Sequence, residues 1–228
     1  MRTARARTRR TAALLAPLVL AVGARAAQAQ AIALVGSDRV RLELPAGVLV
    51  EDYENAGYRL RVERGMATVE VDLAPLRSSQ PFILPPAAVS HEPVAVLARA
   101  VAAGAATRYE AVTRVLQWVA RNVAYDLDRD AAQDPAAVLA RRSGYCTGMA
   151  RLSVALLRAL DVPAREVPGF LVAPAGAGAG PAARAGFHRW IEVRYDDVGW
   201  VFSDPLVALH YVPATYVRVA SEALLPAA

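Results

Sequence analysis

The stretch RSGYCTGMARLSVALLRALDVPAR, residues 142–165, organises everything around it. Met149, Leu152, Leu156 and Leu160 recur at spacings of three and four, which marks one apolar face of a helix. Gly144 is expected to stop the helix before it, and Pro163 to follow its end. Cys146 then falls at the helix entry, off the Met149 stripe. Unpaired backbone N–H groups and the positive end of the helix dipole stabilise a thiolate there. It is the single cysteine of the chain, so no internal disulfide is possible. A lone thiol in an oxidising compartment is either buried and inert or kept for its chemistry, and its place at the entry favours chemistry.

Upstream, Asp134 and Pro135 have the form of an N-cap and a first helical residue, with Arg141 and Arg142 suited to the last turn. Thr107-Arg108-Tyr109-Glu110 has capping-box spacing ahead of Val112, Val115, Leu116 and Val119. A further helix is expected over Pro93 to Ala103. From Ile32 to about Pro86 the period is two, as in Arg39–Leu44, Tyr58–Val62 and Ala67–Leu73, which predicts amphipathic strands with one wet face. Pro81, Pro85 and Pro86 close that section. It reads as a small β appendage or substrate-side module with no residue that suggests chemistry.

Downstream of Pro163 the strand signal returns at Arg165–Val172, His188–Tyr195, Gly199–Ser203 and, more weakly, Tyr216–Val219. A low-complexity Ala/Gly/Pro loop, residues 173–181, separates the first two. Helices followed by antiparallel strands predict an α+β domain.

A cysteine nucleophile needs a base, and the C-terminal half offers His188 and His210. In an extended strand His188, Trp190 and Glu192 share one face, while Ile191 and Val193 share the other. His188 and Asp204 both lie eight residues from Asp196. A hairpin turning about Asp196 would set them opposite each other and pair Trp190 with Phe202 and Ile191 with Val201. A hydrogen bond between them fixes the tautomer whose other ring nitrogen faces the thiol.

Three blocks, Arg142–Arg165, Phe187-His188-Arg189-Trp190-Ile191-Glu192-Val193 and Gly199-Trp200-Val201-Phe202-Ser203-Asp204-Pro205, resemble in this order the transglutaminase-like core of bacterial proteins. The resemblance covers about residues 91 to 215. It implies a papain-like fold, α+β with helices on an antiparallel sheet, and maps a triad to Cys146, His188 and Asp204. Arg165 and Gly169 follow the family pattern beside the cleft, although a salt bridge and a simple turn account for them equally well. Trp190 and Trp200 are candidates to line the acyl site, against the commoner fate of sheet aromatics as core. The oxyanion donor is taken by default as the Cys146 backbone N–H. Zinc held by His91, His210 and Cys146 lacks ligand-like spacing, and the scheme calls for no cofactor and no metal.

Residues 1–29 read as an export signal, with five arginines before position 11, an apolar run from Ala12 to Gly23, and Ala27-Gln28-Ala29. Arg9-Arg10 raises the twin-arginine route, but Thr11-Ala12-Ala13 lacks the large apolar residues that usually follow. The run is shorter than the about 20 apolar residues that span a bilayer, so no membrane span is expected in the mature chain. Six of the 26 basic residues lie in this segment and none of the 21 acidic ones, so the remainder carries 20 positive and 21 negative charges. That balance removes the electrostatic footprint of a nucleic-acid partner. Every basic residue is arginine, which a GC-rich genome explains as well as any functional demand.

The expected organisation is therefore a signal over 1–29, a β-rich extension over 30–88 and a transglutaminase-like catalytic domain over 89–228. The expected product is an exported, periplasmic or secreted cysteine enzyme, acting as a peptidase or amidase on protein, peptide or peptidoglycan-type amide substrates. A cross-linking transglutaminase, or an inactive binding module of the same fold, is the alternative.

Overall fold

The computed structural model describes residues 37–44, 48–86, 92–172 and 186–220. The export signal of 1–29, His91 and the Ala/Gly loop of 173–181 lie outside them.

Two antiparallel sheets and a set of helices make up these residues. The first sheet contains β1 (Arg39–Glu43), β2 (Tyr53–Asn55), β3 (Tyr58–Glu63) and β4 (Met66–Val71), in the order β1-β4-β3-β2. Helices α1 (Pro93–Ala102) and α2 (Arg108–Asn122) follow, then β5 (Ala124–Tyr125), α3 (Pro135–Arg141), β6 (Ser143–Gly144) and α4 (Cys146–Arg158). The second sheet contains β7 (Ala164–Leu171), β8 (Gly186–Tyr195), β9 (Gly199–Ser203) and β10 (Tyr216–Arg218), in the order β10-β7-β8-β9. This is the expected α+β arrangement of helices on an antiparallel sheet.

Local chemistry sets the helix boundaries. The Thr107 side chain accepts a hydrogen bond from Glu110 N at 3.1 Å, and the Glu110 carboxylate accepts one from the N–H of Ala106 rather than from that of Thr107. Asp134 accepts from Ala137 N at 3.0 Å and opens α3. The expected stop at Gly144 is displaced, because α3 ends at Arg141 and is capped by Arg142, a left-handed residue at φ 59°. Arg142 tolerates that strain while its guanidinium lies over the Trp118 ring. Gly144 runs on into β6, which pairs in parallel with β5. A side chain there would crowd Val138 and Gln133.

The sheet around β8 is covered on both faces. Ile191, Val193, Tyr195 and Val201 pack with Val115, Leu116, Leu152 and Leu156 from α2 and α4. Trp190, Phe202, Val167 and Val217 pack instead with Leu60, Val69 and Tyr58 of the first sheet. The β strands read as an appendage thus form the third layer, and their apolar face closes the second core. Glu192, which has no exposed surface, clasps the two sheets together. It accepts from Asn55 Nδ2 at 2.6 Å and Arg165 Nε at 2.7 Å, and also from the Tyr53 hydroxyl. A buried carboxylate needs such a full set of donors.

The β8–β9 register differs from the expected one. Ile191 pairs with Ser203, Val193 with Val201 and Tyr195 with Gly199, so the turn centres on Asp197 and not on Asp196. Gly199, at φ 98°, supplies the positive φ that follows a three-residue loop. The two aspartates of the turn are tied to the chain before α1: Ser78 Oγ donates to Asp197 at 2.7 Å and Gln80 Nε2 to Asp196. The shift is two residues in total pairing, so every side chain keeps its face.

Candidate active site

Cys146 is the first residue of α4, with Tyr145 in extended conformation as its N-cap. The helix is anchored by ten buried residues from Cys146 to Leu157, which fixes its N-terminus against the sheet. Two glycines shape this entry, since a Cβ on Gly148 would come within 2.3 Å of Gln133 Oε1 and 2.8 Å of Val138. Gln133 is itself buried, accepts from Tyr145 N at 3.3 Å and donates to Ala131 O at 2.9 Å, so it staples the preceding loop to the helix entry. Cys146 as a residue is 5% exposed, more enclosed than a residue at an open cleft mouth.

His188 and Asp204 meet in spite of the altered register. His188 Nε2 donates to Asp204 Oδ2 at 2.6 Å, and both side chains are almost wholly buried. They form a diagonal pair: continued along the observed register, position 204 lies across from Trp190, two residues from His188. Diagonal neighbours on one face remain within reach of an imidazole and a carboxylate. Asp204 takes two more hydrogen bonds, from the Tyr216 hydroxyl to Oδ2 at 2.8 Å and from Leu206 N to Oδ1 at 2.8 Å. With Nε2 committed to Asp204, Nδ1 is the ring nitrogen left for the thiol.

The electrostatics follow from this enclosure. Burial pushes the Cys146 thiol up, but the hydrogen bond and charge of His188, with the backbone N–H groups of Arg189 and Thr147, outweigh it and hold the thiol below its ordinary value. For His188, burial works against the imidazolium. The hydrogen bonds and charges of Asp204 and Cys146 prevail and raise its pKa to about 9. A depressed thiol beside an elevated imidazole favours the thiolate–imidazolium pair. The amides that stabilise the sulfur belong to Thr147 and Arg189.

The other expected site residues are placed differently. Trp190 has no exposed surface and sits edge-on to Phe202 and Tyr216, so it packs the core beneath His188 and does not line a cleft. Gly169 lies directly opposite His188 on β7. It is no turn residue: a Cβ there would come within 2.3 Å of both the Trp190 ring and the Val217 carbonyl oxygen. Arg165 pairs with Glu192, four residues along β8 from His188, roughly 13 Å at the strand rise. Its guanidinium binds that carboxylate and covers the Trp200 ring at 4.2 Å, which makes it part of the inter-sheet clasp.

Sequence reasoning passed over Tyr216, Leu206 and Gln133. Tyr216 stood in a strand noticed only weakly, and nothing local marks a tyrosine as the partner of a carboxylate 12 residues earlier. Gly148 was the available signal for Gln133, as a glycine in a first helical turn implies a close neighbour. His210, the second candidate base, is 1% exposed and stacked on Tyr109, bonded to Thr113 and Tyr195, apart from Cys146. Among the described residues no group of three or more His, Cys, Asp or Glu could hold a metal ion.

Cys146 at the N-terminus of α4, the His188 imidazole and the buried Asp204 carboxylate follow one another along the chain in this order. Residues 95–205 match the family model of the transglutaminase-like superfamily. No curated protein sequence matches it significantly. Among solved structures it is similar to a candidate cysteine protease from Cytophaga hutchinsonii, at 21% identity over 80% of this chain and 69% of that one, with a TM-score of 0.46. It is also similar to the periplasmic domain of TgpA from Pseudomonas aeruginosa bound to ethylmercury, at 20% identity over 75% of this chain and 72% of that one, with a TM-score of 0.46.

Proposed function

We propose that residues 89–228 form a cysteine acyl-transfer domain with Cys146 as nucleophile, His188 as base and Asp204 as orienting acid. The observation that carries this reading is the 2.6 Å bond from His188 Nε2 to buried Asp204, which leaves Nδ1 for a thiol depressed at the start of α4. In this scheme the Cys146 sulfur attacks an amide carbonyl and the imidazolium gives its proton to the departing amine. Water, deprotonated by His188, then opens the thioester and releases the acid. Hydrolysis is the default over amine transfer, because water is abundant and no amine site is recognisable. The domain is therefore proposed as a peptidase or amidase for protein, peptide or peptidoglycan-type substrates. Strands β1 to β4 support the second sheet from behind. The arginine-rich N-terminus is proposed to direct export, leaving Gln30 or Ile32 as the mature terminus.

The test is iodoacetamide labelling at about pH 6, followed by mass spectrometry of peptide and peptidoglycan mixtures incubated with a primary amine. Fast labelling of Cys146, with hydrolysed products lost in Cys146→Ala and His188→Ala, is expected. Labelling as slow as that of a free model thiol sinks the catalytic reading. Dominant amine adducts convert the assignment to a transferase.

A further inference from the structure

Among the described residues seven large apolar side chains are exposed: Leu49, Ile83, Val96, Tyr125, Leu127, Phe187 and Val207. Four of them sit on segments that adjoin the site. Tyr125 pairs with Gly144, two residues before Cys146, and the Asp126 N–H extends that pairing with a 3.1 Å bond to Gly144 O. Leu127 follows two residues later. Phe187 immediately precedes His188, and Val207 lies in the tight turn that Asp204 closes through its bonds with Ala208. Exposures of 50% for Tyr125, 62% for Leu127, 45% for Phe187 and 67% for Val207 leave much apolar area in water. Three separate chain segments, adjoining Cys146, His188 and Asp204 in sequence or strand pairing, thus carry uncovered apolar surface. Such a concentration marks a binding surface. The phenol of Tyr125 is pushed up by burial and by the charges of Cys146 and Asp204, which places its ring in the field of the site.

The charge around this rim selects further. Asp126, Asp128 and Asp130 are exposed on the loop that carries Leu127, with Arg129 the single cation among them. An anionic substrate would meet repulsion there, whereas an apolar or cationic one would not.

We infer that Tyr125, Leu127, Phe187 and Val207 form the acyl-donor subsite, and that it takes a large apolar side chain next to the attacked carbonyl while rejecting an acidic one. This rests on the acyl-transfer reading and deepens it by naming the substrate class. The rim side chains touch substrate and set its choice; they take no part in the proton transfers.

Three electrophiles with one chloromethyl ketone warhead test it: the N-acetylated phenylalanyl, lysyl and glutamyl compounds, with Cys146 modification followed by intact mass. Partial burial of one large apolar side chain corresponds to about a tenfold rate advantage for the phenylalanyl compound over the glutamyl one. The lysyl compound is expected between them. Leu127→Ser combined with Val207→Ser, both at exposed positions, is expected to bring the phenylalanyl-to-glutamyl ratio down several-fold while iodoacetamide labelling keeps its rate. A glutamyl compound as fast as the phenylalanyl one, or a ratio unchanged in the double variant, overturns the subsite. Slow iodoacetamide labelling instead condemns the acyl-transfer reading and the subsite with it; fast labelling with a flat ratio condemns the subsite alone.

Discussion

Replacing Asp204 by Asn changes one atom of a carboxylate that accepts three hydrogen bonds. With no exposed surface to admit water, Asp204 serves His188 Nε2 and the Tyr216 hydroxyl through Oδ2 and Leu206 N–H through Oδ1. An amide has one acceptor oxygen. If that oxygen takes the Oδ2 place, the NH2 group faces the Leu206 N–H; if it turns over, the NH2 group faces the imidazole N–H. One buried donor is opposed in either orientation, at about 1–3 kcal/mol. The lost charge acts separately, since Asp204 is the main support of an imidazolium that burial otherwise disfavours, and His188 then falls from about 9 toward or below the ordinary value. Each pKa unit lost is about 1.4 kcal/mol of imidazolium stability. The first orientation still holds the ring in place, so kcat/KM is expected to drop roughly ten- to a hundredfold in Asp204→Asn. Asp204→Ala removes orientation as well and is expected to drop it by at least about a further tenfold. Steady-state kinetics on any peptide substrate that Cys146 turns over provides the assay. Wild-type rates in Asp204→Asn refute the argument from donors and charge. Equal rates for Asn and Ala show that Asp204 supplies charge and not orientation.

Activity is expected to fall on the alkaline side near pH 9, where the His188 imidazolium loses its proton, and kcat/KM measured from pH 5 to 10 checks it; a profile flat through pH 10 removes His188 from the reaction. His210 carries an acid-sensitive contribution to stability. Burial lowers its pKa to about 3, so the unfolded chain binds a proton below about pH 6.5 that the folded chain refuses. Stability is retained above that pH and lost as pH falls toward 3. Urea unfolding at pH 7 and 4.5 is expected to show wild type losing roughly 2–3 kcal/mol more than His210→Gln; equal losses contradict it. Gly169→Ala forces a methyl group against the Trp190 ring and the Val217 carbonyl. A cost of about 1–3 kcal/mol and a thermal midpoint lower by several degrees are expected. An unchanged midpoint shows that β10 yields freely.

The sequence by itself determined the helix that carries Cys146, the order of the His and Asp blocks, and the α+β class, because periodicity and capping are local properties. Thr107, Asp134 and the Met149–Leu160 stripe act within one turn or one face, and they are found where local rules put them. The side of β8 on which His188 stands was legible for the same reason. Tertiary structure alone decided the rest. A hairpin centred on Asp197 has the same facial alternation as one centred on Asp196, so hydrophobic pattern cannot separate them; the positive φ of Gly199 and the bonds from Ser78 and Gln80 do. Trp190, Arg165 and Gly169 looked like cleft residues by position. Their roles in packing and clasping depend on the first sheet covering the second, through Glu192, Tyr53 and Asn55 more than a hundred residues apart. The full donor set of Asp204 needs β10 to return beside β7 and present Tyr216. Contacts of that sequence separation leave no periodic trace in the chain, which is why the helix entry at Cys146 was visible before folding and the contacts around Asp204 were not.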